Sequence, residues 1–172
     1  MERIGFFGGC FNPPTNIHIE LANNLIKTKK LDKVVFIPVN DTYVKNDLIS
    51  AKHRLNMLKL AIKDNKNLQV DDIEITENKK LFAVDAFELI EKKYSKKCEM
   101  FFVMGSDNFE KMNKWKDYDK IKNQKYIVIK RNKNQISSTQ IRDMIANNNK
   151  EVINYLHKDV YKYIIENELY KL

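Results

Sequence analysis

Hydrophobic residues along this chain fall into short continuous runs, separated by segments in which they recur every three or four positions. The runs are rich in β-branched and aromatic residues and predict five strands: RIGFFG (3–8), KVVFIPV (33–39), NLQVDDIEI (67–75), EMFFVMG (99–105) and KYIVIKR (125–131). A helical period follows each of them, as in Ile17, Leu21 and Leu25 after the first run. The final stretch, from residue 137 onward, predicts two or three more helices.

Strands that alternate with helices over short connections are typical of right-handed crossovers and of a sheet covered on both faces. We therefore predict an α/β fold of the Rossmann-like, doubly wound class, with a helical C-terminus. The sheet is expected to be mostly parallel and five- or six-stranded, within a single domain spanning residues 1–172. Ligands of such sheets bind outside the carboxyl ends of the strands, where the strand order reverses.

Charge and composition narrow the classes of partner. The formal net charge of +8 arises mostly from lysines scattered over the whole chain, which favours small anionic substrates over a nucleic acid. No apolar stretch approaches the length of a membrane span, and the N-terminus lacks the pattern of a secretory signal. Cys10 and Cys98 match neither a metal spacing nor a disulfide framework. We expect a cytoplasmic protein with free thiols and neither a membrane nor a nucleic-acid partner.

The turn after the first predicted strand carries the clearest chemical signal. In GGCFNPPTNIH (8–18), Gly8 and Gly9 permit positive φ and a close approach of ligand to backbone, and His18 falls in the first turn of the following helix. A helix N-terminus with exposed amides binds anions, so a phosphate is the group such a turn could hold. From these residues alone, an ordinary βα turn with a surface histidine remains the alternative.

Two motifs at opposite ends of the chain resemble those of one enzyme superfamily. GGCFNPPTNIH resembles the G-G-[ST]-F-[DN]-P-x-[HT]-x-x-H signature of nucleotidyltransferases, and ISSTQIR (136–142) resembles their I-S-S-T-x-I-R signature. With the intervening stretches, nearly the whole chain is similar to nicotinate or nicotinamide mononucleotide adenylyltransferases. The resemblance implies one nucleotidyltransferase domain, which transfers the adenylyl group of ATP to either mononucleotide and yields deamido-NAD or NAD and pyrophosphate. It also implies Mg²⁺ carried by the ATP phosphates, with no metal site of the protein's own.

The resemblance also implies roles for individual residues. The catalytic residues are expected to be His18, Thr15 and Arg142. The ATP site is expected to comprise Gly8, Gly9, Cys10, Phe11, His18, Ser138, Thr139, Gln140, Ile141 and Arg142. The mononucleotide site is expected to comprise Lys45, Phe82, Asp85, Gly105, Asp107, Trp115 and Arg131.

Some of these residues have a plainer interpretation. Trp115 matches the aromatic residue that stacks on the pyridine ring, for which core packing is the alternative. Arg54 is interpreted mainly as part of a helix, with a phosphate contact as the alternative.

The chain departs from the family pattern at three places. Thr15 replaces a histidine of many bacterial members and cannot carry positive charge. Leu81, Phe82 and Ala83 replace the S-Y-T motif that reads the nicotinate carboxylate, which leaves the choice between acid and amide open. The connection 132–135 is shorter than usual, so a strand is expected to be missing there.

Three functions remain in competition at this point. The first is the pyridine mononucleotide adenylyltransferase, with ATP and a mononucleotide as partners and assembly into a homo-oligomer left open. The second is another nucleotidyltransferase, such as phosphopantetheine adenylyltransferase. The third is a degenerate nucleotide-binding regulator without turnover, which Thr15 and the short connection would favour and the intact His18 and Arg142 oppose.

Overall fold

One parallel sheet organises the molecule. The computed structural model describes residues 1–43, 45–130 and 132–171, and within these ranges five strands pair in the order β3-β2-β1-β4-β5. The strands are β1 (Glu2–Gly9), β2 (Lys33–Pro38), β3 (Leu68–Val70), β4 (Cys98–Gly105) and β5 (Tyr126–Ile129). Every pairing is parallel, and the strand order reverses between β1 and β4. The predicted doubly wound α/β class is thus confirmed, with five strands in the described ranges.

Helices connect the strands and complete the C-terminal part of the chain. They are α1 (Asn16–Thr28), α2 (Ala51–Ile62), α3 (Ala83–Tyr94), α4 (Ser106–Lys111), α5 (Tyr118–Ile121), α6 (Ser138–Ala146) and α7 (Lys158–Glu166). Short 3₁₀ helices occupy Met112–Lys114 and Lys150–Tyr155. Over the described residues, no helix is both long enough and apolar enough to cross a membrane.

The alternation of side chains along β2 shows how the sheet is covered on both faces. Val34 and Phe36 are buried in a cluster that includes Leu25 of α1 and Leu58 of α2. Val35 and Ile37 point to the opposite face and pack in a second cluster with Ile90 of α3. Because successive residues of a strand face opposite sides, a fully apolar β2 requires helices on both sides of the sheet.

The C-terminal helices pack on α2 rather than on the sheet. Met57 of α2 is buried together with Ile141 of α6 and Val160 and Ile164 of α7. This packing places the N-terminus of α6 beside the loop that follows β1, where Ser138 Oγ donates a hydrogen bond to the carbonyl of Pro13 at 3.0 Å. The two signature motifs are therefore neighbours in space.

The third strand is shorter than the sequence predicts. It was expected over residues 67–75, but β3 ends at Val70. Asp71 is buried and accepts hydrogen bonds from the Ile73 amide at 3.0 Å, from Lys93 Nζ at 2.6 Å and from the Tyr94 hydroxyl. An aspartate that bonds the backbone two residues later starts a turn, so the apolar residues after it leave the sheet.

Candidate active site

Two cavities meet at the carboxyl ends of β1 and β4, where the strand order reverses. The larger, of about 590 Å³, is here called the aromatic cavity, and the smaller, of about 440 Å³, the polar cavity. Both are lined by Gly8, Gly9, Gly105 and Asn108, so the two spaces adjoin along this edge of the sheet. This is where a doubly wound sheet binds its ligands.

The polar cavity brings together most of the predicted ATP-site residues with three predicted for the mononucleotide, Lys45, Gly105 and Asp107. Among its lining residues are Gly8, Gly9, Cys10, Phe11, Thr15, His18, Lys45, Gly105, Asp107, Ser138, Thr139 and Arg142. Lys45 Nζ lies 4.0 Å from Cys10 Sγ on one side of this cavity. Gln140 and Ile141 are not part of the lining.

The position of His18 is fixed by the start of α1. Its Nδ1 accepts a hydrogen bond from the Thr15 amide at 2.9 Å and lies 3.0 Å from Thr15 Oγ1. A ring nitrogen that accepts from an amide carries no proton, so the proton of the neutral ring is on Nε2. Burial lowers the pKa of His18 to about 4, and the Phe11 ring lies 5.2 Å from the imidazole between centroids. His18 is therefore a neutral N–H donor at physiological pH.

Of the glycine pair, Gly9 is required for packing, and neither Gly8 nor Gly9 adopts the positive φ that glycine permits. It is Phe11 that has a φ of 49°. A Cβ on Gly9 would lie 3.0 Å from the Phe11 ring, whereas a Cβ on Gly8 would meet only the Ile37 carbonyl, at 3.9 Å. Gly9 thus makes room for the aromatic ring that flanks His18.

The N-terminus of α6 presents free backbone amides to the polar cavity. Ser137 caps this helix, since its Oγ accepts from the Gln140 amide at 3.2 Å and its carbonyl accepts from the Ile141 amide at 3.0 Å. Across the described part of the chain, no acceptor is found for the amides of Ser138 and Thr139. Ile141 has its side chain in the core, so any part it plays is through the helix it anchors.

Arg142 joins α6 to the loop after β1. Its Nη1 donates to the Asn12 carbonyl at 2.9 Å, and its Nη2 lies 3.3 Å from Thr139 Oγ1. Asn12 is itself buried, and its Oδ1 accepts from the Tyr170 hydroxyl at 2.8 Å. The guanidinium retains further donors on the side of the polar cavity that it lines.

Arg54 contacts the protein backbone rather than the cavity. Its side chain is fully buried and donates to the carbonyls of Ile49 at 2.9 Å, Cys10 at 2.9 Å and Val39 at 2.7 Å. The alternative of a phosphate contact for Arg54 was therefore wrong, because its donors are used to hold the ends of β1 and β2 and the start of α2 together.

The aromatic cavity is walled by rings and by lysines. Trp115, Phe82 and Tyr43 line it, together with Lys114 and Lys116. Phe82 is 41% exposed, with Lys116 Nζ 4.6 Å and Lys80 Nζ 5.3 Å from its ring centroid. These distances are those of cation–π contacts, which leave positive charge at the rim of the cavity.

Both interpretations of Trp115 have support in the geometry. The ring lines the aromatic cavity, and part of it packs against a small core cluster of Val84, Met112 and Ile121. Core contacts on one side hold an aromatic ring rigid, which suits its other side to stacking on a planar ligand.

Asp85 lies at the start of α3 and outside the lining of both cavities. Its Oδ2 accepts from the Phe82 amide at 2.7 Å, so it caps the helix whose N-terminus reaches the aromatic cavity through Ala83. Arg131, also predicted to bind the mononucleotide, lies outside the described residues.

Several lining residues were missed at the sequence level: Asn12 and Asn108, and, in the aromatic cavity, Tyr43, Glu74, Lys114 and Lys116. Glu74 is the most unusual, because burial raises the pKa of its carboxyl to about 7 against a smaller opposing effect of Arg54. The one signal in the sequence is its place between two isoleucines, in DDIEIT. In the described ranges, no cluster of three or more His, Cys, Asp or Glu side chains is arranged to hold a metal ion.

A family model and full-length relatives match this chain. A family model described as cytidylyltransferase-like matches residues 6–144. The nicotinate-nucleotide adenylyltransferase of Bacillus subtilis is 31% identical over 99% of this chain and 100% of its own length. A Bacillus licheniformis protein named a probable nicotinate-nucleotide adenylyltransferase is 32% identical over the same shares of the two chains.

A solved structure shares the fold. It is the Plasmodium falciparum nicotinic acid mononucleotide adenylyltransferase complexed with NaAD, which superimposes with a TM-score of 0.78 at 20% identity, over 99% of this chain and 98% of that one. Since the family model and the full-length relatives both match, the chain belongs to the nicotinate-nucleotide adenylyltransferase family, within the wider cytidylyltransferase-like group.

Proposed function

We propose that the protein transfers the adenylyl group of ATP to nicotinate mononucleotide, forming deamido-NAD and pyrophosphate in NAD biosynthesis. The observation that carries this proposal is the junction of the two cavities at Gly8, Gly9 and Gly105. A triphosphate in the polar cavity and a pyridine nucleotide in the aromatic cavity would bring their reacting phosphates together at this junction. The names of the full-length relatives support the same reaction.

The chemical step needs positioning rather than a protein nucleophile. A phosphate oxygen of the mononucleotide attacks the α-phosphorus of ATP, the new P–O bond forms, and the bond to the β-phosphate oxygen breaks as pyrophosphate leaves. The attacking oxygen is already ionised, so no general base is required. The protein's part is to hold the phosphates in line and to stabilise the charge that develops between them.

His18 is the proposed donor to the α-phosphate. Its Nε2–H is the only donor of the neutral ring, because Nδ1 accepts from the Thr15 amide. Thr15 therefore acts by orienting His18, and its hydroxyl adds a second contact to Nδ1 at 3.0 Å. A donor fixed in this way loses little entropy when charge develops in the transition state.

The pyrophosphate half of ATP is assigned to the N-terminus of α6. The free amides of Ser138 and Thr139 and the positive end of the helix dipole suit an anion there. Arg142 supplies a guanidinium to the same cavity, and Lys45, which also lines it, supplies a flexible charge for the mononucleotide phosphate. The backbone of Gly9 and Cys10 is proposed to face the phosphate that is transferred.

The pyridine ring is assigned to the aromatic cavity, between Trp115 and Phe82. Nicotinate adds a carboxylate to a cationic ring, and the N-terminus of α3 and Lys116 provide positive potential for it. These groups stand where the S-Y-T motif is replaced by Leu81, Phe82 and Ala83. Gly105 and Asp107 are proposed to contact the mononucleotide ribose side.

Mg²⁺, the cellular compartment and the oligomeric state complete the proposal. Mg²⁺ is proposed to arrive on the phosphate oxygens of ATP, since it prefers hard oxygen ligands and retains waters. When bound, Mg²⁺ would neutralise charge on the leaving pyrophosphate. Asp107 contributes a carboxylate to the lining of the same polar cavity. We place the reaction in the cytoplasm, and association into a homo-oligomer is left to measurement of the mass in solution.

Labelled ATP tests the reaction type. With ATP labelled at the α-phosphorus, the label should appear in the dinucleotide, and with label at the γ-phosphorus it should appear in pyrophosphate. Label from the γ-position in a mononucleotide-derived product would mean phosphoryl transfer and would contradict the proposal. His18→Ala serves as the inactive reference, and His53→Ala is its matched control, because His53 bonds Tyr163 away from both cavities.

A further inference from the structure

Glu74 places an acidic group inside the aromatic cavity. It lies in the turn after β3, and its side chain lines the cavity together with Trp115 and Phe82. Within the described parts of the chain, its carboxylate has no hydrogen-bond or ion-pair partner. A partly buried carboxylate without a partner is costly to ionise, which agrees with a pKa raised to about 7.

The charged and titratable groups around Glu74 come from three neighbouring segments. Arg54 of α2 opposes the effect of burial, but its donors are already used by three backbone carbonyls and by Asp41 at 3.5 Å. Tyr43 faces it from the loop after β2, where the charge on Glu74 contributes to raising the pKa of the tyrosine. Lys114 and Lys116 line the same cavity. None of these groups forms a direct pair with Glu74, so a ligand in the cavity is free to bias its ionisation.

The two pyridine mononucleotides would present different charges to this carboxyl. Nicotinamide mononucleotide has a cationic ring and a neutral amide whose N–H groups donate hydrogen bonds. Nicotinate mononucleotide has the same ring with a carboxylate, which repels a second carboxylate and accepts a hydrogen bond from a protonated one. The two ligands are otherwise alike, including their phosphate.

We propose that Glu74 is a proton-linked selectivity residue: ionised, it favours the amide mononucleotide, and protonated, it favours the acid. This inference rests on the proposed function, since it assigns the pyridine to the aromatic cavity. Titration of Glu74 would make the choice between the two mononucleotides depend on pH near neutrality. The effect of Glu74 opposes that of the α3 N-terminus and Lys116, which favour the acid at any pH.

The test is the ratio of kcat/KM for the amide to kcat/KM for the acid, measured at several pH values. Between about pH 6 and about pH 8.5 the ratio should rise about tenfold or more, because a carboxyl with a pKa near 7 changes from mostly protonated to mostly ionised. Taking the ratio removes the effects common to both reactions, such as ionisation of the substrate phosphate.

The isosteric variant Glu74→Gln should give a ratio that no longer changes with pH and that stays near the acid-favouring value of the wild type. Glu77→Gln, in the same segment and outside the cavity lining, should retain the pH dependence. A constant ratio in the wild type, with both mononucleotides turned over, would overturn the role of Glu74 alone. Turnover with neither mononucleotide would overturn the proposed function instead.

A binding measurement on the wild type provides a second test that needs no variant. Calorimetry near pH 7, in buffers of different ionisation enthalpy, should show net proton uptake with the acid relative to the amide. Equal proton exchange for the two ligands would contradict the proposal. Folding of the glutamine variant is checked by circular dichroism, and the wild-type result stands even if that variant is unstable.

Discussion

His18 acts as a neutral hydrogen-bond donor, and its environment explains why. The Thr15 amide occupies Nδ1, and burial of the imidazole, which lies beside the Phe11 ring, disfavours its charged form. If Nδ1 were protonated, its N–H would point at the N–H of Thr15, and neither group could accept a hydrogen bond from the other. The residue therefore contributes by position rather than by charge, and the replacement of a histidine by Thr15 does not remove this donor.

We predict that His18→Ala lowers kcat by about 10² or more, as for loss of a preorganised donor to a developing oxyanion. The side chain lines the polar cavity and belongs to none of the hydrophobic core clusters, so the fold should survive, as judged by circular dichroism. The matched variant His53→Ala should keep kcat within about twofold, since its ring bonds Tyr163 outside both cavities. A near-normal rate for His18→Ala would remove this residue from the mechanism.

Trp115 gives a direct optical test of the mononucleotide site. It is the only tryptophan of the chain, so its fluorescence reports on one position. Stacking on an electron-poor pyridinium ring should quench the emission when nicotinate mononucleotide is added, whereas inorganic phosphate should leave it unchanged. If calorimetry shows binding while the spectrum stays the same, Trp115 has only a packing role.

At the level of the elements, Arg54 determines how the loops of the site are held. Its guanidinium donates to backbone carbonyls at the end of β1, at the end of β2 and before α2. The three carbonyls converge because the carboxyl ends of neighbouring parallel strands lie at one edge of the sheet. The loop that carries Cys10 is thereby tied to α2.

Replacing Arg54 with methionine should lower the free energy of unfolding by about 3 kcal/mol or more, because three backbone carbonyls lose the fully buried guanidinium that donates to them. Urea denaturation of both proteins measures the difference. Arg3→Met is the control, since the Arg3 side chain is 39% exposed and its loss should cost about 1 kcal/mol or less. Equal effects of the two substitutions would contradict the clamp assigned to Arg54.

The elements also show what the sequence could and could not predict. Continuous apolar runs and helical periods are local signals, so the strands other than β3 were predicted close to their observed bounds, and the helical period after the first run falls within α1. The extent of β3 depends on Asp71, whose partners Lys93 and Tyr94 come from α3 and are distant in the chain. Apolar alternation alone could not reveal that turn.

The same distinction applies to the site. The residues of the two motifs could be found because their spacing is itself the signal. Glu74 could not, because its unusual carboxyl results from cavity walls that five other segments of the chain supply. Likewise the positive φ in this turn falls at Phe11 rather than at either glycine, and the Phe11 ring lies 3.0 Å from where a Cβ of Gly9 would be.

On the scale of the whole molecule, the C-terminal helices complete a site that begins at the N-terminus. Ser138 and Arg142 bond the carbonyls of Pro13 and Asn12, and Tyr170 bonds Asn12 from near the end of the chain. The short connection 132–135 is compatible with this arrangement, and the sheet within the described ranges has five strands. The two motifs meet because α6 and α7 pack on α2.

The stability of the whole molecule should depend on His18 in acid. Burial lowers the pKa of His18 in the native state to about 4 from its ordinary value of 6.5, so between these pH values the unfolded chain binds a proton that the native ring does not. Stability from this group is fully present above pH 6.5 and is lost as the pH falls toward 4. In urea denaturation at about pH 7 and about pH 4.5, His18→Gln should therefore lose less stability than the wild type. Equal losses would mean that His18 titrates normally in the native state.

The most direct test of the central claim is pyrophosphate release from ATP and Mg²⁺ by the wild-type protein, with three acceptors offered in parallel. Nicotinate mononucleotide should be turned over, and nicotinamide mononucleotide should become a better substrate relative to it as the pH rises. Phosphopantetheine should give no pyrophosphate release. Release with phosphopantetheine alone would assign the chain to another branch of the superfamily. No release with any acceptor, by protein that still binds ATP, would contradict the account and leave a nucleotide-binding protein without turnover.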